Sequence, residues 1–270
     1  SEAFTAPKKL LHLAKLGFSQ SYGYFTWKVA RWQLEQWMTE FTTPEVCEYH
    51  RGNLFVNTPD ILHESLQTGG PAMFRLRLLL AGTLSPLYGV YSGFEWLEHE
   101  PVRAGSEEYL DSEKFELRPR DWEGTAPLDA DLRRLNAIRR AEPALQRQEH
   151  LSFVGSENER ILCWRRPGVD GSADILVCVN LDPHQAQATM VDVPLDRMGI
   201  AEHEPYEVED LLTGARYTWY GRRNYVLLDP AREPGHVLRV AATAGRPRDA
   251  RGDVIDPDAP HEPLDRGAHP

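Results

Sequence analysis

Asn57-Thr58-Pro59-Asp60 closes the apolar run Leu54-Phe55-Val56, and Glu2 stands with Ala3-Phe4 at the start of the chain. A carboxylate placed just after a buried strand is released into the cleft onto which the strand ends open. Two such carboxylates are the equipment of sugar-transfer chemistry, in which acids flank the bond that breaks. Each has a plainer reading. Glu2 alone would be a solvated terminal residue, and Asp60 alone a helix N-cap ahead of Ile61-Leu62-His63-Glu64.

The elements that must position these residues alternate. Pro7 opens a helix with Leu10, Leu11, Leu13, Ala14 and Leu16 on one face, and Gly17 stops it. Residues 19–27 read as a strand rich in aromatics. A second helix carries Ala30, Leu34, Trp37, Met38 and Phe41 at helical spacing and ends at Thr42-Thr43-Pro44. Residues 53–57 form the next strand, Pro71 opens a third helix, and residues 87–91 read as another buried strand. Such alternation implies a parallel sheet with crossover helices, doubly wound or closed into a barrel.

After Gly93 a polar loop runs over residues 95–129, a length that marks a binding or lid element. A helix from Asp131 keeps Leu132, Leu135 and Ile138 inward and ends near Pro143. Eight short strands follow, at 151–154, 160–165, 174–180, 187–193, 206–210, 216–220, 224–228 and 236–240, separated by Gly, Pro and Asp turns. That spacing predicts an antiparallel β-sandwich. Beyond it the chain is rich in Pro, Gly, Asp and Arg with few apolar residues, which predicts a disordered tail. The division is 1–147, 148–241 and 242–270.

Composition narrows the function. At 270 residues and 41% hydrophobic the chain can bury one large core or two moderate ones, and a net charge of −11 argues against a nucleic-acid partner. Arg133, Arg134, Arg139 and Arg140 read as a solvated helix face. Cys47, Cys163 and Cys178 are widely spaced and fit neither a disulfide framework nor a zinc site, so a reducing cytoplasm is expected. No stretch approaches the roughly 20 apolar residues of a membrane span. No metal or organic cofactor is implied.

The motifs Ser1-Glu2-Ala3-Phe4-Thr5, Leu16-Gly17-Phe18-Ser19-Gln20-Ser21-Tyr22-Gly23-Tyr24-Phe25-Thr26-Trp27, Phe55-Val56-Asn57-Thr58-Pro59-Asp60-Ile61-Leu62-His63-Glu64 and Tyr91-Ser92-Gly93-Phe94-Glu95 together resemble the α-1,4-glucan:maltose-1-phosphate maltosyltransferases of the α-amylase superfamily. The resemblance covers approximately residues 1–240. It implies an α/β fold, the C-terminal part of a (β/α)8 TIM barrel followed by the superfamily's antiparallel β-domain. Glu2 matches the general acid/base after the fifth barrel strand, and Asp60 the acidic residue after the seventh. The nucleophile, an Asp after the fourth strand, is expected upstream of Ser1, with the first barrel strands. Most relatives in the superfamily carry Asn-His-Asp where this chain has Asn57-Thr58-Pro59-Asp60, a departure characteristic of the maltosyltransferase branch.

On that resemblance the donor is α-maltose 1-phosphate, the leaving group phosphate, and the acceptor a hydroxyl at the non-reducing end of an α-1,4-glucan. Glu2 must be partly protonated, which burial beside Phe4 favours, while Asp60 stays ionised and gains hydrogen bonds from sugar hydroxyls. Asn57, Tyr109, Glu113 and Lys114 are the expected substrate contacts, the last three in the long loop. Tyr22, Tyr24 and Trp27 read as core aromatics ahead of a sugar-stacking platform, and His63 as a helix-face residue. A homodimer is implied for the full-length protein. Alternatives are an amylase-like hydrolase or trehalose-forming relative, against which Thr58-Pro59 argues, and a catalytically silent glucan-binding remnant. Without the rest of the barrel, residues 1–95 are expected to fold poorly.

Overall fold

Pro7 has no amide hydrogen to leave unpaired, so it fits the first turn of α1 (Pro7–Lys15), which buries Leu10 and Ala14. The computed structural model describes residues 5–18, 20–241, 249 and 251–255, and Glu2 lies outside them. β1 (Gln20–Tyr22) is shorter than the sequence suggests, because Tyr24–Trp27 wind into a 3₁₀ turn. α2 (Arg31–Phe41) turns Leu34, Met38 and Phe41 inward. Pro44 then starts the short α3 (Pro44–Cys47), capped by Thr43 Oγ1, which accepts from the Val46 amide. β2 (Arg51–Phe55), α4 (Glu64–Thr68), α5 (Gly70–Leu84) and β3 (Tyr88–Gly89) follow. β1, β2 and β3 form a parallel sheet in that order. Their C-terminal ends therefore share one edge, and the residues after each strand meet there.

α5 is apolar on nearly every side because it is enclosed on nearly every side. Its Met73, Phe74, Leu76 and Leu78 to Leu80 share one core with Leu54 and Val56 of the parallel sheet and with Leu162, Trp164, Val177 and Val237 of the strands beyond. α6 (Asp129–Ala141) packs on it, beginning two residues earlier than its apolar spacing predicts. Two arginines read as solvated do otherwise. Arg139 donates to the Ser85 and Pro86 carbonyls at 3.0 and 2.6 Å and lies over the Tyr88 ring, and Arg134 donates to the Leu212 carbonyl at 2.8 Å. Helix α5 ends in carbonyls with no intrahelical donor, and Arg139, which also bonds the Gly82 carbonyl, serves that end, whereas Arg134 ties α6 to the Leu212 segment.

All eight expected strands form: β4 (Ser152–Ser156), β5 (Ile161–Arg166), β6 (Asp174–Asn180), β7 (Gln187–Asp192), then the short α7 (Leu195–Met198), β8 (Pro205–Asp210), β9 (Arg216–Tyr220), β10 (Arg223–Leu228) and β11 (Gly235–Val240). Their order is β10-β7-β4-β5-β6-β11-β8-β9, antiparallel throughout. β9 and β10 are consecutive in the chain yet occupy opposite ends of the sheet, so the sheet rolls until its ends meet. β5 and β6 are buried on both faces. Leu162, Trp164, Ile175 and Val177 face α5, while Ile161, Cys163, Leu176 and Cys178 face an inner core with Val191, Tyr206, Val226 and Leu228. Asp249 and 251–255, within the segment the sequence reads as a disordered tail, lie against this domain through Asp253 and Val254. Among the described residues no helix is long and apolar enough to cross a membrane.

Candidate active site at the strand ends

Thr58 and Pro59 shape the turn that presents Asp60. Thr58 and Ile61 exchange backbone hydrogen bonds at 3.3 and 3.2 Å, with Pro59 at the position of a tight turn that its fixed φ suits. The Asp60 amide donates to Thr58 Oγ1 at 3.2 Å, leaving the Asp60 carboxylate half exposed at the edge where β2 ends. Asp60 is not a helix cap. α4 begins four residues later, and its cap is His63, whose Nδ1 accepts from the Ser65 amide at 3.1 Å. Burial, and then the charge of Arg77, holds the His63 pKa below its ordinary value, which keeps that nitrogen an acceptor.

The loop 95–128 folds over this turn. Lys114 Nζ bonds Asp60 Oδ1 directly and Glu108 Oε2 at 3.2 Å. The bond to Asp60, more than any other contact, holds the ammonium charged above its ordinary pKa. Asn57 is fully buried: its Nδ2 donates to the Tyr109 hydroxyl at 2.7 Å and its Oδ1 accepts from the Tyr91 amide at 2.9 Å. Tyr109 is buried too, edge-on to Tyr91, and burial pushes its phenol pKa up. Asn57 and Tyr109 thus brace the turn from beneath, while the Asp60 and Glu108 carboxylates stand half exposed and the Glu113 and Lys114 side chains are partly covered. Glu113 is held by Arg120 at 2.6 Å, and Arg120 also grips both oxygens of Glu98 at 3.0 and 3.2 Å and Ser92 Oγ at 3.0 Å. Gly93 makes room for this arrangement. It takes φ +101°, and a Cβ there would fall 2.1 Å from Glu98 Oε2.

Glu98, Glu107 and Arg120 escape sequence reasoning, since no periodicity marks a residue inside an irregular loop. Trp27, read mainly as core, stands half-buried at the same edge, stacked on Tyr24 at 5.3 Å, with its indole N–H on Glu107. The described face therefore offers carboxylates, an ammonium and aromatic rings from the ends of parallel strands, an assembly suited to fixing the hydroxyls and faces of a sugar.

A family model described as GLGE, C-terminal, matches residues 153–240. The chain is 50% identical over 244 residues to the α-1,4-glucan:maltose-1-phosphate maltosyltransferase of Corynebacterium pseudotuberculosis, covering 89% of this chain and 36% of that protein. It is 46% identical over 244 residues to the enzyme of that name from Mycolicibacterium smegmatis, covering 89% and 35%. The chain thus spans about a third of the length of these relatives. Two solved structures share its fold: an Anoxybacillus α-amylase, with TM-score 0.61 at 15% identity over 89% of this chain and 51% of that one, and the Geobacillus thermoleovorans α-amylase complexed with acarbose, with 0.62 at 14% over 88% and 52%. Over the residues it spans, the chain is similar to the α-1,4-glucan:maltose-1-phosphate maltosyltransferases, and its residues 153–240 match the C-terminal family model.

Proposed function

We propose that this chain serves the retaining transfer of a maltosyl unit from α-maltose 1-phosphate to the non-reducing end of an α-1,4-glucan, with release of phosphate, in the cytoplasm. The observation that carries the reading is the Thr58-Pro59 turn, which presents Asp60 at the C-terminal edge of the parallel sheet with Lys114 upon it. There Asp60 accepts from sugar hydroxyls and supports the positive charge that grows on the ring as the glycosidic bond loosens. Lys114 donates to the maltosyl unit and Glu113, steadied by Arg120, accepts from it. Asn57 and Tyr109 keep the turn rigid under load. Glu2 is assigned the general acid/base, protonating the phosphate oxygen and then deprotonating the acceptor; no residue of the present sequence is assigned the nucleophile. A homodimer of the full-length protein belongs to the same reading.

The test is phosphate release from α-maltose 1-phosphate with a maltooligosaccharide acceptor, by a protein in which this chain is joined to the upstream barrel segment of a relative. Asp60→Asn and Glu2→Gln are expected to lower kcat by about 100-fold or more. Lys114→Ala is expected to act mostly on KM. Unchanged turnover in the first two variants would return both carboxylates to their plainer readings. Reducing-sugar release without a phosphorylated donor would instead mark a hydrolase.

A further inference from the structure

Lys114 sits in a stretch without helix or strand, and an ion pair to a half-exposed carboxylate holds a loop only weakly. Other contacts fix its position. Arg77, buried in α5, donates to the Phe25 and Lys28 carbonyls at 2.8 and 2.6 Å and so brackets the 3₁₀ turn that carries Trp27. The Trp27 indole N–H then lies between the two oxygens of Glu107, at 2.8 and 3.0 Å. The Glu107 carbonyl accepts from the Leu62 amide at 2.8 Å, two residues past Asp60. Gln67 closes the arrangement: its side-chain Nε2 donates both to the Leu62 carbonyl at 2.8 Å and to the Ser106 carbonyl at 2.9 Å. The next residue, Glu108, shares Lys114 with Asp60.

We propose that Trp27 and Gln67 are positioning residues, a latch that docks the 95–128 loop on the Asp60 turn from two sides so that Lys114 is delivered to Asp60. Trp27 takes its place from β1 and α5, and Gln67 from α4. Their bonds converge on Ser106 and Glu107, the residues immediately before the Glu108–Lys114–Asp60 contact. The indole donates to an anion, and such charge-assisted bonds are the stronger kind. Gln67 satisfies two carbonyls of different segments with one amide, so losing it frees both segments at once. The consequence for turnover rests on the proposed function; the docking itself does not.

The experiment labels lysines of the 270-residue chain with an acylating reagent and follows Lys114 against the exposed Lys9 by mass spectrometry. Trp27→Phe keeps the aromatic ring and removes the donor; Gln67→Leu removes the bridging amide. Both are expected to raise the Lys114-to-Lys9 labelling ratio by about tenfold, the shift produced by losing one charge-assisted bond at Trp27 or two neutral ones at Gln67. Glu107→Gln keeps an acceptor for the indole but loses its charge, and is expected to raise the ratio by less than Trp27→Phe does. An unchanged ratio in Trp27→Phe and Gln67→Leu overturns the latch. Equal acceleration at every lysine also overturns it, since the two residues would then be holding the fold. In the transfer assay the same variants should raise the donor KM with kcat nearly kept; a protein without transfer activity but with the labelling change would sink the functional reading and leave the latch standing.

Discussion

His50 shows how a single buried group writes itself into the pH dependence of the whole chain. It is 2% exposed against the Phe41 ring, at 5.0 Å between centroids, and burial first, then the charge of Arg51, pushes its pKa from 6.5 down to about 4. Unfolded chains take up a proton near pH 6.5 that the folded chain refuses until about pH 4. The stability that neutral His50 permits is therefore complete above pH 6.5 and is lost as pH falls toward 4, by about 3 kcal/mol at most. Asp210 acts in a separate window. Burial works to raise its carboxyl, but hydrogen bonds from His236, Thr213 and the Leu212 amide leave it below 3.8, so its contribution fades only under more acid conditions. Urea unfolding at stepped pH should show a slope between pH 6.5 and 4 that His50→Gln reduces, His63 supplying part of the remainder; a slope undiminished by the substitution assigns it elsewhere. At this scale Asp60 was legible because a four-residue motif carries it, whereas the Trp27–Glu107 bond joins residues 80 apart and leaves no trace in any local pattern.

Helices and strands were more legible than the contacts between them. Residues 152–240 show turn residues and patterning strongly enough that all eight strands could be placed: β8 and β10 alternate buried and open positions, so a slipped register would bury the wrong side, while β5 and β6 are covered on both faces. β1 was read too long because the aromatic run 24–27 favours a strand locally, and Arg77, from 50 residues away, turns those carbonyls inward instead. Gly82 in α5 makes the same point for packing. A Cβ at that position would stand 2.6 Å from Leu135 Cδ2 of α6, so the two helices approach across a hydrogen atom. Gly82→Ala gains about 1 kcal/mol of helix propensity yet forces a fully enclosed leucine to move, which typically costs about 1 to 3 kcal/mol. A net loss of about 1 kcal/mol is expected in thermal or urea melts, and Leu135→Val should recover part of it. If Gly82→Ala stabilises the chain, α5 and α6 have slack that the packing does not suggest.

The molecule closes on itself through its last described residues. Arg165 is fully buried on β5, where Asp174 of β6 accepts from its Nε at 2.7 Å; Asp253 accepts from Nη1 at 2.6 Å and the Gly252 carbonyl from Nη2 at 2.9 Å. Asp253 also takes Arg197, after β7, at 3.0 Å. A segment outside the sheet thus supplies two of the partners of a cation that water cannot reach. Removing one side of a buried pair costs roughly 3 to 5 kcal/mol when nothing replaces it. Because Asp174 and the Arg197 carbonyl remain, ending the chain at Ala241 is expected to cost about 2 kcal/mol, with Asp253→Asn costing less. The cause can be separated from simple loss of Val254 packing by a cycle. Arg165→Met leaves no cation to satisfy, so in that background the truncation should cost under about 1 kcal/mol, the difference being the coupling between the segment and the guanidinium. Equal cost in both backgrounds would show that residues 249–255 hold the domain by their apolar contact alone, and that Arg165 is satisfied without them.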